Sequence, residues 1–124
     1  MELPVVNHPD YVAKINDDNK FPIKKFGALA DYLLKEGVVK KFYIPKECSI
    51  KTMQTSHSLK YINHIRNKSL DIKLQKKIGF PINDSVARRS FVATGGTVLA
   101  SKLALDYKLA CNTAGGSHHA TFDC

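Results

Sequence analysis

The longest hydrophobic pattern in the chain predicts a helix from residue 84 to about residue 106. Its apolar positions recur every seven residues, at Phe91, Val98 and Leu105, which is the spacing of one face of a helix. Asn83 or Asp84 stands at the start of this segment, and both residue types are favoured caps of a helix N-terminus. We therefore expect this helix to be the longest element of the fold.

Two adjacent glycines, Gly95 and Gly96, lie inside this predicted helix. Each glycine in a helix costs about 1 kcal/mol relative to alanine, so the pair indicates either a kink or very close packing against a neighbouring element. Other residues around the pair are also small, among them Ala93, Ala100 and Ala104. We therefore expect close packing on this side of the helix.

Three shorter helices are predicted before the long one. Phe21-Pro22 opens the first and Gly37 ends it, because proline suits a helix start and glycine a helix end. Its apolar stripe consists of Phe26, Leu29, Ala30, Leu33 and Leu34. Ser58 is a candidate N-terminal cap of the second predicted helix. The apolar face of that helix consists of Leu59, Ile62 and Ile65. The third covers residues 69–78 and ends before Gly79-Phe80-Pro81.

Short apolar runs between these segments predict strands at residues 3–6, 42–44 and 109–111. The last run, Leu109-Ala110-Cys111, is wholly apolar, as expected of a buried parallel strand. Residues 46–56 are predicted to form a loop. Helices and strands alternate, and no internal repeat or linker divides the chain. The sequence therefore predicts one α/β domain with a parallel sheet flanked by helices.

The composition is that of a globular protein. Of 124 residues, 44% are hydrophobic and 24% are charged, and no apolar run approaches the roughly 20 residues that span a membrane. The N-terminus lacks the basic and apolar regions of a secretory signal. Cys48, Cys111 and Cys124 have no metal-binding spacing, so we expect three free thiols in a reducing cytoplasm.

The net charge of +8 is the strongest compositional bias. Such a charge attracts polyanions, including nucleic acids. Most of it comes from lysines in scattered pairs, Lys24-Lys25, Lys40-Lys41 and Lys76-Lys77, with no interleaved aromatic residues. We interpret these lysines as a solvated surface, which argues against a nucleic-acid partner. A non-catalytic basic binding module stays open as an alternative function.

Candidate chemistry is concentrated in the segment Gly115-Gly116-Ser117-His118-His119-Ala120. Histidine is the side chain whose ordinary pKa lies closest to neutrality, so it can both accept and release protons. Glycine allows another group to approach the backbone closely. The segment follows a predicted strand, and ligand sites collect at the carboxyl ends of parallel strands. The two histidines therefore form a candidate catalytic pair.

This segment, together with Ile78-Gly79-Phe80-Pro81 and Gly95-Gly96-Thr97, resembles the histone deacetylase superfamily, most closely its bacterial and class IV-like members. The resemblance implies the N-terminal part of an arginase/deacetylase-like α/β fold. It also implies a zinc-dependent hydrolase that removes acyl groups from protein lysines or from small acylated amines. His57 and Tyr61 match the family's His-x-x-x-Tyr element, but Leu59 stands where class I members carry an acidic residue.

By motif position, the resemblance makes His118 and His119 the catalytic residues. One of them takes a proton from water, and the other stabilises developing charge or protonates the leaving amine; the sequence leaves open which is the base. Gly115 and Gly116 are implied to line the acyl-lysine channel, with Phe80 near its rim. The family's zinc ligands lie beyond the His-His motif, so no metal ligand is assigned in this chain.

The resemblance thus implies that residues 1–124 are a partial domain, truncated after the His-His motif. We expect the isolated chain to be inactive as a deacetylase, because the implied zinc ligands are not assigned in it. We also expect a marginally stable fragment whose parallel sheet keeps an open, aggregation-prone edge. A degraded gene product is the second alternative that the sequence leaves open.

Overall fold

The computed structural model of the chain describes residues 2–124. Its elements, in chain order, are β1 (Val5–Val6), a 3₁₀ turn (Pro9–Tyr11), α1 (Lys25–Lys35), α2 (Ile50–Met53), α3 (Leu59–Arg66), α4 (Ile72–Ile78), α5 (Asp84–Tyr107) and β2 (Cys111–Asn112). The described chain is mostly helical, and α5 is its longest element. None of these helices combines the length and hydrophobicity needed to cross a bilayer.

The sheet consists of two short parallel strands. β1 pairs with β2 in parallel, with Val5 opposite Cys111 and Val6 opposite Asn112. On the other edge of β1, Tyr43 forms an isolated parallel bridge with Val6, which is all that the predicted strand at residues 42–44 contributes. The parallel pairing agrees with the α/β prediction, but the sheet within residues 2–124 is much smaller than the helical part.

The prediction of a buried strand at residues 109–111 is wrong in two respects. The strand is Cys111–Asn112, so it begins two residues later. Leu109 is 60% exposed, and Cys111 is also exposed. The physical reason is that β2 has a partner on one edge only, so residues before and within it keep contact with solvent.

Polar caps define where several helices begin. Asn83 Oδ1 accepts the Val86 N–H at 2.9 Å at the start of α5. Ser58 Oγ accepts the Tyr61 N–H at 3.1 Å at the start of α3. Both predicted caps are confirmed. Asp71 caps α4, so this helix begins three residues later than predicted.

Close packing of α5 at its two glycines is also confirmed. A Cβ atom built on Gly95 would overlap the backbone oxygen of Lys46, and one built on Gly96 would overlap the hydroxyl of Tyr11. The helix runs through both glycines as one element of 24 residues. The glycines therefore let α5 approach Lys46 and Tyr11 more closely than any larger residue would allow.

The first helix differs from its prediction. α1 begins three residues after Pro22, and it ends before Gly37, whose φ of +68° fits the predicted stop. Phe26 and Ala30 of the predicted stripe are buried, whereas the exposed Leu29 and Leu34 face away from the core. The reason is that α1 packs by one narrow side against the 3₁₀ turn.

The predicted loop of residues 46–56 contains α2. Ser49 caps this helix by accepting the Thr52 N–H at 3.1 Å. A helix of four residues is too short to show a hydrophobic period, so the sequence pattern did not reveal it. It carries the buried Met53 into the core beside α3.

Candidate active site

A cleft of about 400 Å³ opens between α3, the connection from α4 to α5, one side of α5, and the segment that follows β2. Most of its lining is apolar, including Ile62, Ile65, Ile78, Phe80, Phe91 and Val98. Its ionisable lining side chains are His57, Tyr61, Arg89 and His118. No aspartate or glutamate of the described chain lines this cleft. The cleft therefore suits an apolar group and carries no negative charge of its own.

The structure brings together four of the five residues that the sequence indicated. Phe80, Gly115, Gly116 and His118 all line the cleft. His119 is exposed and lies outside the lining. The two adjacent histidines thus occupy different environments.

The half-buried His118 has an incomplete set of hydrogen bonds. Its Nε2 is shielded from solvent and has no partner within residues 2–124, although buried polar atoms are usually paired. Its Nδ1 lies 3.3 Å from Ser117 Oγ. Burial lowers the pKa of His118, and the nearby Lys77 and His119 lower it further. His118 is therefore neutral at pH 7, and when Nδ1 donates to Ser117 Oγ, Nε2 is free to accept a proton.

Residues 114–124, which we call the histidine loop, are held at their first end by Arg89. This side chain is only 6% exposed. Its Nη2 donates to Gly115 O at 2.9 Å, and its Nε donates to Tyr11 O at 2.7 Å. The guanidinium lies 4.7 Å from the centre of the Phe26 ring. Burial lowers the pKa of Arg89, but an arginine stays charged in proteins.

Sequence reasoning missed Arg89, although a signal was present. Arg89 lies three residues after Val86 and three before Val92, and both valines are buried. A charged residue inside the apolar stripe of a helix is unusual because burying a charge is costly unless it is hydrogen-bonded. This position therefore indicates a specific role that the hydrophobic period alone does not explain.

The second end of the histidine loop is held by the start of α3. His57 Nδ1 lies 2.8 Å from Thr121 O, and since a carbonyl can only accept, Nδ1 is the donor. The Ser58 N–H donates to Phe122 O at 2.9 Å. The His57 ring also makes an edge contact with Tyr61, with ring centres 5.4 Å apart. His57 is thus half-buried and bonded to the loop rather than free on the surface.

A third set of contacts fixes the beginning of the loop against α5. The Tyr11 hydroxyl donates to Asn112 Oδ1 at 2.9 Å. Asn112 Nδ2 donates to Thr97 Oγ1 at 3.3 Å, and Asn112 Oδ1 also accepts the Ala114 N–H at 3.3 Å. Burial raises the pKa of Tyr11 to about 12. Tyr11 therefore keeps its proton and acts here as a donor.

The residues present do not form a zinc site. Zinc sites need at least three protein ligands that converge on one point, and residues 2–124 contain no group of three histidine, cysteine or acidic side chains so arranged. His118 is in the cleft while His119 is outside it, so these two do not converge either. The three cysteines of the described chain are free thiols, and they do not converge on a common point.

The chain is similar to known proteins over most of its length. The family model described as histone deacetylase domain matches residues 20–123. An uncharacterized protein of Picosynechococcus sp. is 41% identical over 122 residues, which cover 97% of this chain and 41% of that protein. Histone deacetylase 2 of Arabidopsis thaliana is 27% identical over 117 residues, covering 82% of this chain and 28% of that protein. The chain thus spans less than half the length of both relatives. It belongs to the histone deacetylase family.

Proposed function

We propose that this chain forms one wall of the active site of a deacetylase-family hydrolase that acts on acylated lysine or on small acylated amines. The observation that carries the proposal is the buried, unpartnered Nε2 of His118 in an apolar cleft. A neutral imidazole with a free ring nitrogen is the group that general-base chemistry requires.

In this proposal His118 is the residue that accepts a proton at Nε2. Its lowered pKa keeps the imidazole neutral at pH 7, so it is ready to take a proton from a water molecule. His119, exposed beside it, has the second role of stabilising charge or protonating the leaving amine. The difference in burial between the neighbours is the reason for assigning them in this order.

The acyl group and the aliphatic stem of a lysine fit the apolar lining. Gly115 and Gly116 line the cleft three and two residues before His118, and apart from its own chain neighbours a Cβ atom on Gly115 would meet no atom within 4 Å. The space beside this glycine is therefore open to a ligand. Phe80 contributes an aromatic surface from the connection between α4 and α5.

The family is generally zinc-dependent, but the donor groups of residues 2–124 do not converge on a metal. We therefore expect the 124-residue chain by itself to bind an acyl-lysine ligand and not to hydrolyse it. Any hydrolysis in a longer protein that contains this segment is expected to require His118.

The binding test uses the 124-residue chain and two peptides that differ only in acetylation of one lysine. In ¹H–¹⁵N spectra, we expect the acetylated peptide to shift the amide signals of Gly115, Gly116 and Ser117 and the ring nitrogen signals of His118. The unmodified peptide should leave these signals in place. His118→Ala should weaken binding more than His119→Ala, because only His118 lines the cleft.

Equal binding of both peptides, or shifts confined to residues outside the cleft, would contradict the assignment of the cleft to the acyl group. Release of acetate by the isolated chain, measured in the same samples, would contradict the expectation of binding without hydrolysis. If that release were lost in His118→Ala, the assignment of His118 would stand and only the expectation of inactivity would fall.

A further inference from the structure

Two residues outside the His118-His119 pair hold the histidine loop at its opposite ends. Arg89 on α5 reaches Gly115 O, three residues before His118. His57, just before α3, reaches Thr121 O, three residues after it. We propose that Arg89 and His57 are positioning residues that clamp the histidine loop and thereby keep the His118 ring in the cleft.

The Arg89 contact has the properties of a clamp rather than of a surface ion pair. No carboxylate of the described chain lies within ion-pair distance of its guanidinium. Instead, its planar fork spans two backbone oxygens that belong to distant parts of the chain, Tyr11 O and Gly115 O. A guanidinium can hold two acceptors in one fixed geometry, which an ammonium cannot do. Charge-assisted hydrogen bonds of this kind are about twice as strong as neutral ones.

The surroundings of Arg89 fix the guanidinium itself. The ring centre of Phe26 lies 4.7 Å away and that of Phe21 lies 5.8 Å away. Cation–π contacts within roughly 6 Å stabilise a cation, most of all where water is excluded. The side chain is only 6% exposed, so it has little freedom to release Gly115. The first end of the loop is therefore attached to the rigid core.

The His57 contact attaches the second end through a matched pair of bonds. The His57 ring donates to Thr121 O, and the next residue, Ser58, donates its backbone N–H to Phe122 O. Ser58 is also the cap of α3, so the loop is joined to a helix terminus. The edge contact with Tyr61 restricts rotation of the His57 ring. Between these two attachments the loop carries His118, while His119 stays exposed.

The importance of this clamp for catalysis rests on the proposed function, but the position of His118 can be measured without any substrate. The readout is the pH titration of the His118 ring nitrogens by NMR, because burial lowers the pKa of this ring. The charged or titratable groups that face it are Lys77 and His119, together with Arg89, His57 and Tyr61 of the cleft. If the loop leaves the cleft, the ring is hydrated and its pKa should rise toward the ordinary value.

The variants are chosen in matched pairs. His57→Phe keeps an aromatic ring against Tyr61 and removes the donor, whereas His57→Asn keeps a donor close to the place of Nδ1. Arg89→Met keeps an apolar stem and removes the fork, whereas Arg89→Lys keeps the charge and loses the fork. His64→Phe is the control, because His64 lies on α3 and its Nδ1 bonds Ser69 Oγ rather than the loop.

We expect the His118 pKa to rise in His57→Phe and Arg89→Met, with broadened amide signals for Gly116 and Ser117. His57→Asn should restore the parent titration, Arg89→Lys should restore it only in part, and His64→Phe should leave it unchanged. If His57→Phe and Arg89→Met both fold and the His118 titration in each matches that of the parent chain, the proposal is overturned. If Arg89→Met does not fold, full parent-like behaviour of Arg89→Lys would overturn the role of the fork.

The same samples separate this proposal from the proposed function. Acetyl-lysine peptide binding is measured in the parent chain and in His57→Phe. A rise of the His118 pKa without any binding by the parent chain would support the clamp and contradict the acyl-lysine site. Binding by the parent chain that is unchanged in His57→Phe, with an unchanged His118 titration, would support the acyl-lysine site and overturn the role of His57 in the clamp.

Discussion

Replacement of Gly95 by alanine tests the close approach of α5 to the segment before α2. A Cβ atom at this position would overlap the backbone oxygen of Lys46 and would come to 3.0 Å from the Cys48 nitrogen. That nitrogen donates to Phe91 O at 2.9 Å. The obstacle is backbone, which cannot rotate away as a flexible side chain can. The substitution must therefore displace α5 or the 46–48 segment.

The expected magnitude follows from three opposing contributions. Alanine gains about 1 kcal/mol over glycine as a helix former. Overpacking of a tight interface costs about 1–3 kcal/mol, and a backbone obstacle places this site at the upper end. Disturbing the bond from Cys48 to Phe91 costs about 1 kcal/mol more. We therefore expect Gly95→Ala to lower the free energy of unfolding by about 2–3 kcal/mol.

The assay is urea-induced unfolding of the purified chain, followed by far-UV circular dichroism, with stability taken from the transition midpoint and slope. The matched control is Gly27→Ala in α1, where the nearest contact of a Cβ atom is the Val12 Cγ2 methyl group at 3.2 Å. This control should be neutral or stabilising by up to about 1 kcal/mol because a methyl group can shift. A Gly95→Ala chain as stable as the parent would refute the close approach.

Three further predictions concern other parts of the chain. Because burial lowers the pKa of His118 below its ordinary 6.5, the unfolded chain binds a proton that the folded chain does not, so stability should fall as the pH drops below 6.5. Unfolding measured at a series of pH values should show this fall in the free energy of unfolding, and the fall should be smaller in His118→Gln. If the pH dependence of stability were the same in His118→Gln and in the parent chain, the burial of His118 would be contradicted. Asn83→Ala should lower stability by about 1–2 kcal/mol, because Asn83 caps α5 and also donates to Lys14 O; Asn83→Asp, which keeps the cap, should lose less in the same urea assay. Cys111 is exposed while Cys48 and Cys124 are buried, so Ellman's reagent should modify one thiol rapidly and the other two only in urea. Fast modification of all three would show that the core is open.

Features that depend on local chemistry could be predicted from the sequence. Asn83 and Ser58 cap helices because the side-chain oxygen and the orphan N–H groups are only three residues apart. The seven-residue period identified α5, and the paired glycines correctly indicated close packing. The motif also pointed to Phe80, Gly115, Gly116 and His118, which line one cleft.

Features that depend on distant partners could not be predicted in the same way. Leu109 belongs to an apolar run, but its exposure is decided by how many strands lie beside β2. His118 and His119 are adjacent and chemically identical, and only the path of the loop places one inside the cleft. Arg89 and His57 donate to backbone oxygens 26 and 64 residues away. Every residue has a backbone oxygen, so the sequence does not indicate which one accepts such a bond.

Tyr11 links the packing of α5 to the site, so the two are not independent. Its hydroxyl would overlap a Cβ atom on Gly96 and donates to Asn112 Oδ1, which also accepts the Ala114 N–H at the start of the histidine loop. Its carbonyl oxygen accepts from Arg89, which also holds Gly115. A side chain at position 96 would displace Tyr11 and, through it, the contacts that Asn112 and Arg89 make with the start of the loop. A Cβ atom on Gly95 would instead meet Lys46, which takes part in neither of these contacts. The two adjacent glycines therefore have different consequences. The contact at Gly95 affects only the packing of α5, whereas the contact at Gly96 also affects, through Tyr11, the loop that carries His118.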